Sequence, residues 1–156
     1  MAEEIANVER RQGKQLISIL VPCYNEEAVL REFYRRTSAV IDGIPSYDFQ
    51  FMFVNDGSRD GTLSIMHELR EKDRRVSYVN LSRNFGKEIA MTAGIDYLTG
   101  DAAIIMDADL QDPPELIPEM ISWWEQGYQD VSAKRRSRAG ETFFKKWSSH
   151  AFYTIL

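Results

Sequence analysis

Residues 102–115 read Ala102-Ala103-Ile104-Ile105-Met106-Asp107-Ala108-Asp109-Leu110-Gln111-Asp112-Pro113-Pro114-Glu115, an apolar run that breaks into an acidic loop. Five apolar residues without alternation are the pattern of a strand buried on both faces, as in a parallel sheet. The carboxyl end of such a strand is where open α/β sheets bind their ligands. Two carboxylates two residues apart at that point make a seat for a hard divalent cation. Mg²⁺ is commonly held by one or two carboxylates together with substrate phosphates. The stretch therefore predicts an α/β sheet and metal-assisted chemistry, with Mg²⁺ or Mn²⁺, on a phosphorylated, nucleotide-linked substrate.

Outward from this stretch, strand and helix signals alternate. Leu16–Val21 is an apolar strand halted by Pro22. Residues 26–41 carry Val29, Leu30, Phe33, Tyr34 and Val40 at helical spacing. Tyr47–Val54 alternates around Phe49, Phe51 and Phe53, as a strand does. Thr62–Lys72 is predicted as a helix, Val76–Leu81 as a strand and Lys87–Leu98 as a helix. Pro114–Gln126 is predicted as a helix with proline in its first turn. Asp130–Ala133 is predicted as a short strand and Glu141–Leu156 as an amphipathic helix. Met1–Gln15 is charged and lacks a sustained apolar period, which predicts a flexible arm or short helix. Alternation of this kind implies parallel pairing through right-handed crossovers, hence an α/β sandwich with a mostly parallel central sheet. The expected organisation is an arm over 1–15, a nucleotide-binding domain over 16–140 and an amphipathic helix over 141–156.

Bulk properties narrow the function classes. A chain of 156 residues with 44% hydrophobic and 28% charged residues suits one globular domain. A net charge of −5 argues against nucleic-acid binding. The single cysteine, Cys23, excludes an internal disulfide and a cysteine-rich zinc site. No apolar run approaches the roughly 18 residues of a membrane span, and Met1–Gln15 is too polar for a signal peptide. The expectation is a soluble, cytoplasmic piece. Charge is uneven: Lys134, Arg135, Arg136, Arg138, Lys145 and Lys146 crowd the C-terminal region. A basic end on an acidic body points to a phosphate or an anionic membrane surface, with a solvated helix face as the plain alternative.

Each predicted strand ends in a polar cluster: Pro22-Cys23-Tyr24-Asn25-Glu26, then Asn55 to Thr62, then Ser82 to Glu88, then the Asp-x-Asp segment. In a parallel sheet these ends share one edge, so the four loops converge on one crevice. The second loop also resembles the first half of a calcium-binding EF-hand loop. Its twelfth position is His67 rather than Glu, and it follows a strand, so calcium is rejected. Asp56-Gly57 and Asp60-Gly61 read as turns, with Asp60 or Thr62 capping the next helix and Asp56 facing the crevice. The Asp-x-Asp pattern of haloacid-dehalogenase phosphatases wants Thr or Val where Gln111 stands, and lies after the first strand.

Together, Val21-Pro22-x-Tyr24-Asn25-Glu26, Val54-Asn55-Asp56-Gly57-Ser58-x-Asp60-Gly61-Thr62 and Asp107-Ala108-Asp109-Leu110-Gln111-Asp112-Pro113 resemble family 2 glycosyltransferases of the GT-A fold. Within these the chain is similar to the polyprenyl-phosphate sugar transferases, the group of dolichol-phosphate mannose synthase. Ser82-Arg83-Asn84-Phe85-Gly86-Lys87-Glu88 and Ala133-Lys134-Arg135-Arg136-x-Arg138-x-Gly140-Glu141-Thr142 point to the bacterial bactoprenol branch. The resemblance covers about residues 16 to 156 and implies an N-terminal part of a longer enzyme.

By that resemblance Pro22, Tyr24 and Glu26 line the nucleotide pocket and Asp56 reads the base or ribose. Asn55 stands where many members have Asp. Asp107, Ala108, Asp109 and Gln111 match the metal and diphosphate segment, with Asp107, Asp109 and Gln111 as metal ligands. Arg135 matches a basic residue that faces phosphates, and Lys87 is a candidate to place substrate. The implied reaction is inverting transfer of a hexose from a sugar nucleotide to a polyprenyl (undecaprenyl) phosphate. UDP-glucose is the expected donor, with GDP-mannose open. Two alternatives stand beside it: transfer to a saccharide hydroxyl, and a non-catalytic nucleotide-sugar-binding fragment. The whole enzyme is expected at the cytoplasmic face of the plasma membrane. Phe143, Phe144, Trp147, Phe152 and Ile155 beside Lys145 and Lys146 fit a membrane-surface helix.

Overall fold

A computed structural model of the chain describes residues 2–4 and 13–133. In chain order the elements are β1 (Ala2–Glu4), β2 (Leu16–Cys23), α1 (Leu30–Asp42), β3 (Asp48–Asn55), α2 (Thr62–Lys72), β4 (Val76–Asn80), α3 (Lys87–Ile95), β5 (Ala102–Ile105) and α4 (Ile117–Glu125), the last preceded by a 3₁₀ turn at Pro114–Leu116. The chain divides into two compact units, Met1–Glu119 and Met120–Leu156, and the whole sheet lies in the first.

Strand order is β1-β4-β3-β2-β5. Strands β2 to β5 are mutually parallel, and β1 runs antiparallel to β4. The chain steps outward from β2 to β3 and β4, then returns past both to lay β5 on the other side of β2. The sheet order therefore reverses between β2 and β5, the position where open α/β sheets bind ligands. The mostly parallel α/β sheet expected from the sequence is present.

The period-2 alternation of side chains sorts the core onto two faces. On one, Leu20, Met52, Val54, Val79 and Leu81 pack with Ala90 of α3. Gly94 lets α3 approach closely, since a Cβ there would lie 2.4 Å from Leu20 Cδ1. On the other face Tyr34 of α1 meets Phe51 at 5.3 Å, Phe51 stacks on Phe53 at 5.7 Å, and His67 of α2 meets Tyr78 at 4.8 Å. All eight residues of β3 are buried. Gln50 tolerates this because Ser18 Oγ donates to its Oε1 at 3.3 Å and its Nε2 donates to Ser77 Oγ at 3.1 Å.

Several expectations change. Part of the predicted flexible arm, residues 2–4, forms the edge strand β1 through backbone pairing, which needs no apolar pattern. Pro22 does not halt β2, which runs on to Cys23 in register with Asn55. Leu20 O accepts from Met106 N and Cys23 O accepts from Asp56 N, so Pro22 turns its nitrogen to the β5 side, beyond the end of that ladder. No bond is forfeited there. Helix α1 starts at Leu30, not Glu26, because Asn25, Glu26 and Glu27 are drawn into loop contacts described below. Asp130–Ala133 is not a strand: among the described residues nothing pairs with it, and 130, 132 and 133 are exposed. In the second unit α4 ends at Glu125, and Trp123 meets Tyr128 edge-on at 5.5 Å. The predicted helix at 141–156 and the basic cluster around Arg135 lie outside the described residues.

Candidate active site

The carboxyl ends of β2, β3 and β5 and the start of α3 enclose a cavity of about 280 Å³. Pro22, Tyr24, Glu26, Asp56, Lys87, Asp107, Ala108 and Asp109 all line it. Eight of the residues named from sequence thus share one cavity. Gln111 follows in the same loop, where its backbone N–H donates to Asp109 Oδ1 at 3.0 Å. Arg135 is outside the described residues. Sequence reasoning gave no role to Cys23, Asn84, Gly86 and Ala90, which also line the cavity. Asn84 and Gly86 sit in the third polar loop, so their signal was the loop itself. An adjoining hollow of about 440 Å³ shares Tyr24 and Asn84 and carries Arg59 and Arg83.

The loops after β2 and β3 are laced together. Asn25 N donates to Ser58 Oγ at 2.9 Å, and Arg59 N donates to Asn25 Oδ1 at 2.9 Å. Glu26 N donates to Thr62 Oγ1 at 2.8 Å, and Glu27 N to Asp60 Oδ2 at 3.1 Å. Gly61 N returns a bond to Glu27 Oε2 at 2.8 Å. Asn25 adopts φ 56°, a left-handed conformation that asparagine accepts more readily than most residues. Asp60 Oδ1 also accepts Thr62 N at 3.0 Å, covering a free N–H in the first turn of α2. Burial alone would raise Asp60, but the Thr62 and Glu27 donors outweigh it and hold the carboxyl below its ordinary range. Of the two capping candidates Asp60 does the capping work, while the Thr62 hydroxyl instead accepts from Glu26 N and donates to Asp60.

Asp56 is 3% exposed, and both its oxygens are engaged: Phe85 N donates to Oδ1 at 2.7 Å and Gly86 N to Oδ2 at 2.9 Å. Charge-assisted bonds of this kind are the stronger ones. They tie the β4–α3 loop to the end of β3 and set where α3 begins. Gly57 completes the junction. At φ 64° it passes so close to the Arg83–Asn84 backbone that a Cβ would lie 2.3 Å from Arg83 C. Asn55 bridges the strand ends, its Nδ2 donating to Asn80 Oδ1 at 2.7 Å and its Oδ1 accepting Ser58 N at 3.1 Å.

The remaining side chains set the electrostatics. Burial first, then Asp109, Asp107 and Asp60, push the Glu26 carboxyl above its ordinary range. Burial, then Glu26, Asp107 and Asp60, push the Cys23 thiol well up, which disfavours its thiolate. Lys87 Nζ lies 2.5 Å from Asp107 Oδ1. Leu110, between the acidic segment and Gln111, has φ 60°, an uncommon conformation for a leucine. Among the described residues no three His, Cys, Asp or Glu side chains gather as a self-sufficient metal cage. The donor set still fits Mg²⁺ or Mn²⁺: hard carboxylate oxygens at the cavity mouth, in an acidic surround, leave room for phosphate and water ligands.

The model of glycosyl transferase family 2 matches residues 18–156. The chain belongs to that family. It is 51% identical over 139 residues to an uncharacterised glycosyltransferase, YkcC, of Bacillus subtilis (strain 168), covering 89% of this chain and 43% of the relative. It is 42% identical to a prophage bactoprenol glucosyl transferase homolog of Escherichia coli (strain K12), covering 89% of this chain and 45% of the relative. The chain thus spans under half the length of these curated relatives. The fold is similar to a mannosyltransferase of Pyrobaculum calidifontis solved with GDP-Man and Mn²⁺, at TM-score 0.55 and 22% identity, over 77% of this chain and 35% of that one. These neighbours are GT-A glycosyltransferases, and the family 2 domain here shares their α/β architecture.

Proposed function

We propose that this family 2 domain is the donor-binding part of a metal-dependent transferase that moves a hexose from a nucleotide diphosphate sugar to a polyprenyl phosphate. The observation that carries the reading is the gathering of Tyr24, Glu26, Asp56, Lys87, Asp107 and Asp109 around one cavity at the reversal of the sheet order. The acceptor class is supported by the bactoprenol glucosyl transferase relatives, and UDP-glucose is the proposed donor on the same ground. The acidic segment after β5 takes the diphosphate, and the loop after β2 takes the nucleoside.

Asp107 and Asp109, with Gln111 beside them, would hold Mg²⁺ or Mn²⁺. Such a cation supplies Lewis-acid stabilisation of the charge that grows on a departing nucleoside diphosphate, an effect of several kcal/mol. The chain's own residues do the positioning. The laced loops after β2 and β3 hold Tyr24 and Glu26 at the wall. Asp56 fixes the loop from which Lys87 reaches into the cavity. A lipid phosphate is already anionic, so its attack on the anomeric carbon needs no general base. Placement and charge neutralisation then carry the reaction, and Arg135 is the proposed partner of the phosphates. Inversion at the anomeric carbon follows from single displacement and is proposed on the family resemblance. The amphipathic 141–156 segment is proposed to rest on the anionic cytoplasmic face of the membrane, where the lipid tail stays.

Thermal unfolding against a panel of sugar nucleotides, with and without Mn²⁺, tests the donor half. One UDP- or GDP-sugar should stabilise the domain by about 2.7 kcal/mol at one hundred times its dissociation constant in Mn²⁺, and by less at the same concentration without Mn²⁺. Transfer of labelled sugar to polyprenyl phosphate by a chain of the relatives' full length tests the acceptor half. No response to any sugar nucleotide contradicts the first; transfer only to saccharide hydroxyls contradicts the second.

A further inference from the structure

Lys87 is the first residue of α3. A helix start is where a cation is least favoured, because the free N–H groups of the first turn carry partial positive charge. The sequence places a lysine there all the same, and the fold fixes it firmly: Phe85 N and Gly86 N, just before it, are both held by buried Asp56. From that anchor the side chain reaches the end of β5 and sets Nζ 2.5 Å from Asp107 Oδ1. Among the described residues lining the cavity, Lys87 is the cation, facing Glu26, Asp56, Asp107 and Asp109.

The pair is open to water, with side chains 55% and 36% exposed. An exposed ion pair is weak and easily exchanged. Its acidic member is also a residue assigned to the divalent cation. A divalent cation on the same carboxylate would repel the ammonium and favour its release. A nucleoside diphosphate brings compensating negative charge into the same cavity, at the point where the ammonium would be released.

We propose that Lys87 is an exchangeable counter-ion: it neutralises Asp107 in the empty domain, yields that carboxylate to the divalent cation, and transfers to the donor's diphosphate. This rests on the metal-dependent reading above and goes beyond it by giving one residue opposite effects on two ligands. Lysine on Asp107 competes with the cation when no nucleotide is present. Once cation and nucleotide are both bound, the same lysine strengthens the complex.

The test uses Lys87→Met in this chain, with melting curves to confirm the fold. Mn²⁺ affinity is read by electron paramagnetic resonance of the free ion. Nucleotide affinity at saturating Mn²⁺ is read by calorimetry, with whichever of UDP and GDP binds the wild type more tightly. Without nucleotide the variant should bind Mn²⁺ about two- to fivefold more tightly, the range set by an exposed ion pair. With Mn²⁺ saturating it should bind the nucleotide about tenfold more weakly or worse, the loss of a charge-assisted contact. Unchanged Mn²⁺ affinity overturns the exchange. Tighter Mn²⁺ binding with nucleotide affinity kept or raised shows that the lysine never moves to the diphosphate, and overturns it too. A purely structural lysine would move neither number. Wild type that binds no Mn²⁺ even with nucleotide present removes the metal reading itself, a result distinct from either of these.

Discussion

Two carboxylates at opposite edges of the sheet, Asp73 and Glu26, are treated in opposite ways. At the amino-terminal edge, Asp73 is gripped by its neighbours: Arg75 Nε donates to Oδ2 at 2.9 Å and the Tyr34 hydroxyl donates to the same oxygen at 2.7 Å. Arg75 also pairs with Asp42 at 2.7 Å. Burial works against the charged form of Asp73, yet the Arg75 and Tyr34 bonds outweigh it and hold the carboxyl below its ordinary range. At the carboxyl-terminal edge, Glu26 is partly buried among Asp109, Asp107 and Asp60 and is pushed above its ordinary range. One edge spends its charges on the fold. The other keeps like charges together, at a cost in stability that a bound cation would relieve. A carboxyl raised by burial and like charges in a cleft is a candidate for a functional role.

The carboxyl-terminal edge is held chiefly by bonds between loop backbone and side chains, with Lys87–Asp107 as an exposed ion pair, and Gly57→Ala is the sharpest way to break it. A Cβ forced against the Arg83–Asn84 backbone from a left-handed position should cost about 3 kcal/mol or more in denaturant unfolding. A loss below about 1 kcal/mol would mean the two loops are not locked at this point. The next effect in size belongs to the other edge. Arg75→Met should lose about 1–3 kcal/mol at neutral pH, less than a fully buried pair because the side chain is 31% exposed. Asp73, with its lowered pKa, contributes stability above its ordinary value of 3.8 and loses it as pH falls through the lowered one. The deficit of Arg75→Met should shrink over that acid range, and a deficit constant with pH would show that Asp73 is not the partner that matters.

Glu26→Gln gives the smallest effect and the opposite sign. A carboxyl with a raised pKa contributes full stability below its ordinary value of 4.5 and loses it as pH rises through the raised one. The amide does not titrate, so the variant should exceed wild type by under about 1 kcal/mol at neutral pH, and the gain should vanish in acid. A variant less stable than wild type at neutral pH would contradict the clustering of like charge.

Much of this contrast was legible in the sequence, for identifiable reasons. Apolar runs of parallel strands such as Leu16–Val21 are strong signals, and strand ends that share one edge made the convergence of the four polar loops a matter of topology. What escaped was carried by backbone geometry. Nothing in the residue type of Asp56 tells that both its oxygens would be taken by Phe85 and Gly86 N–H groups. Residues 2–4 enter the sheet through main-chain pairing with β4, which leaves no mark on an acidic tripeptide. Pro22 looked like a stop because its position relative to the end of β5 depends on register, and register is fixed only in three dimensions.

On the proposed function, the carboxyl-terminal edge keeps its carboxylates for a divalent cation that would be held together with a nucleoside diphosphate. Calorimetry of UDP and GDP binding, in Mn²⁺ and in EDTA, to wild type and Asp109→Ala tests it directly. Asp109 is exposed and should be replaceable without loss of fold. Wild type should bind its preferred nucleotide about tenfold more tightly in Mn²⁺ or better, a difference of roughly 1.4 kcal/mol, and the variant should bind equally in both. Equal affinity of wild type in Mn²⁺ and EDTA, or a full Mn²⁺ gain that survives in Asp109→Ala, would contradict the account.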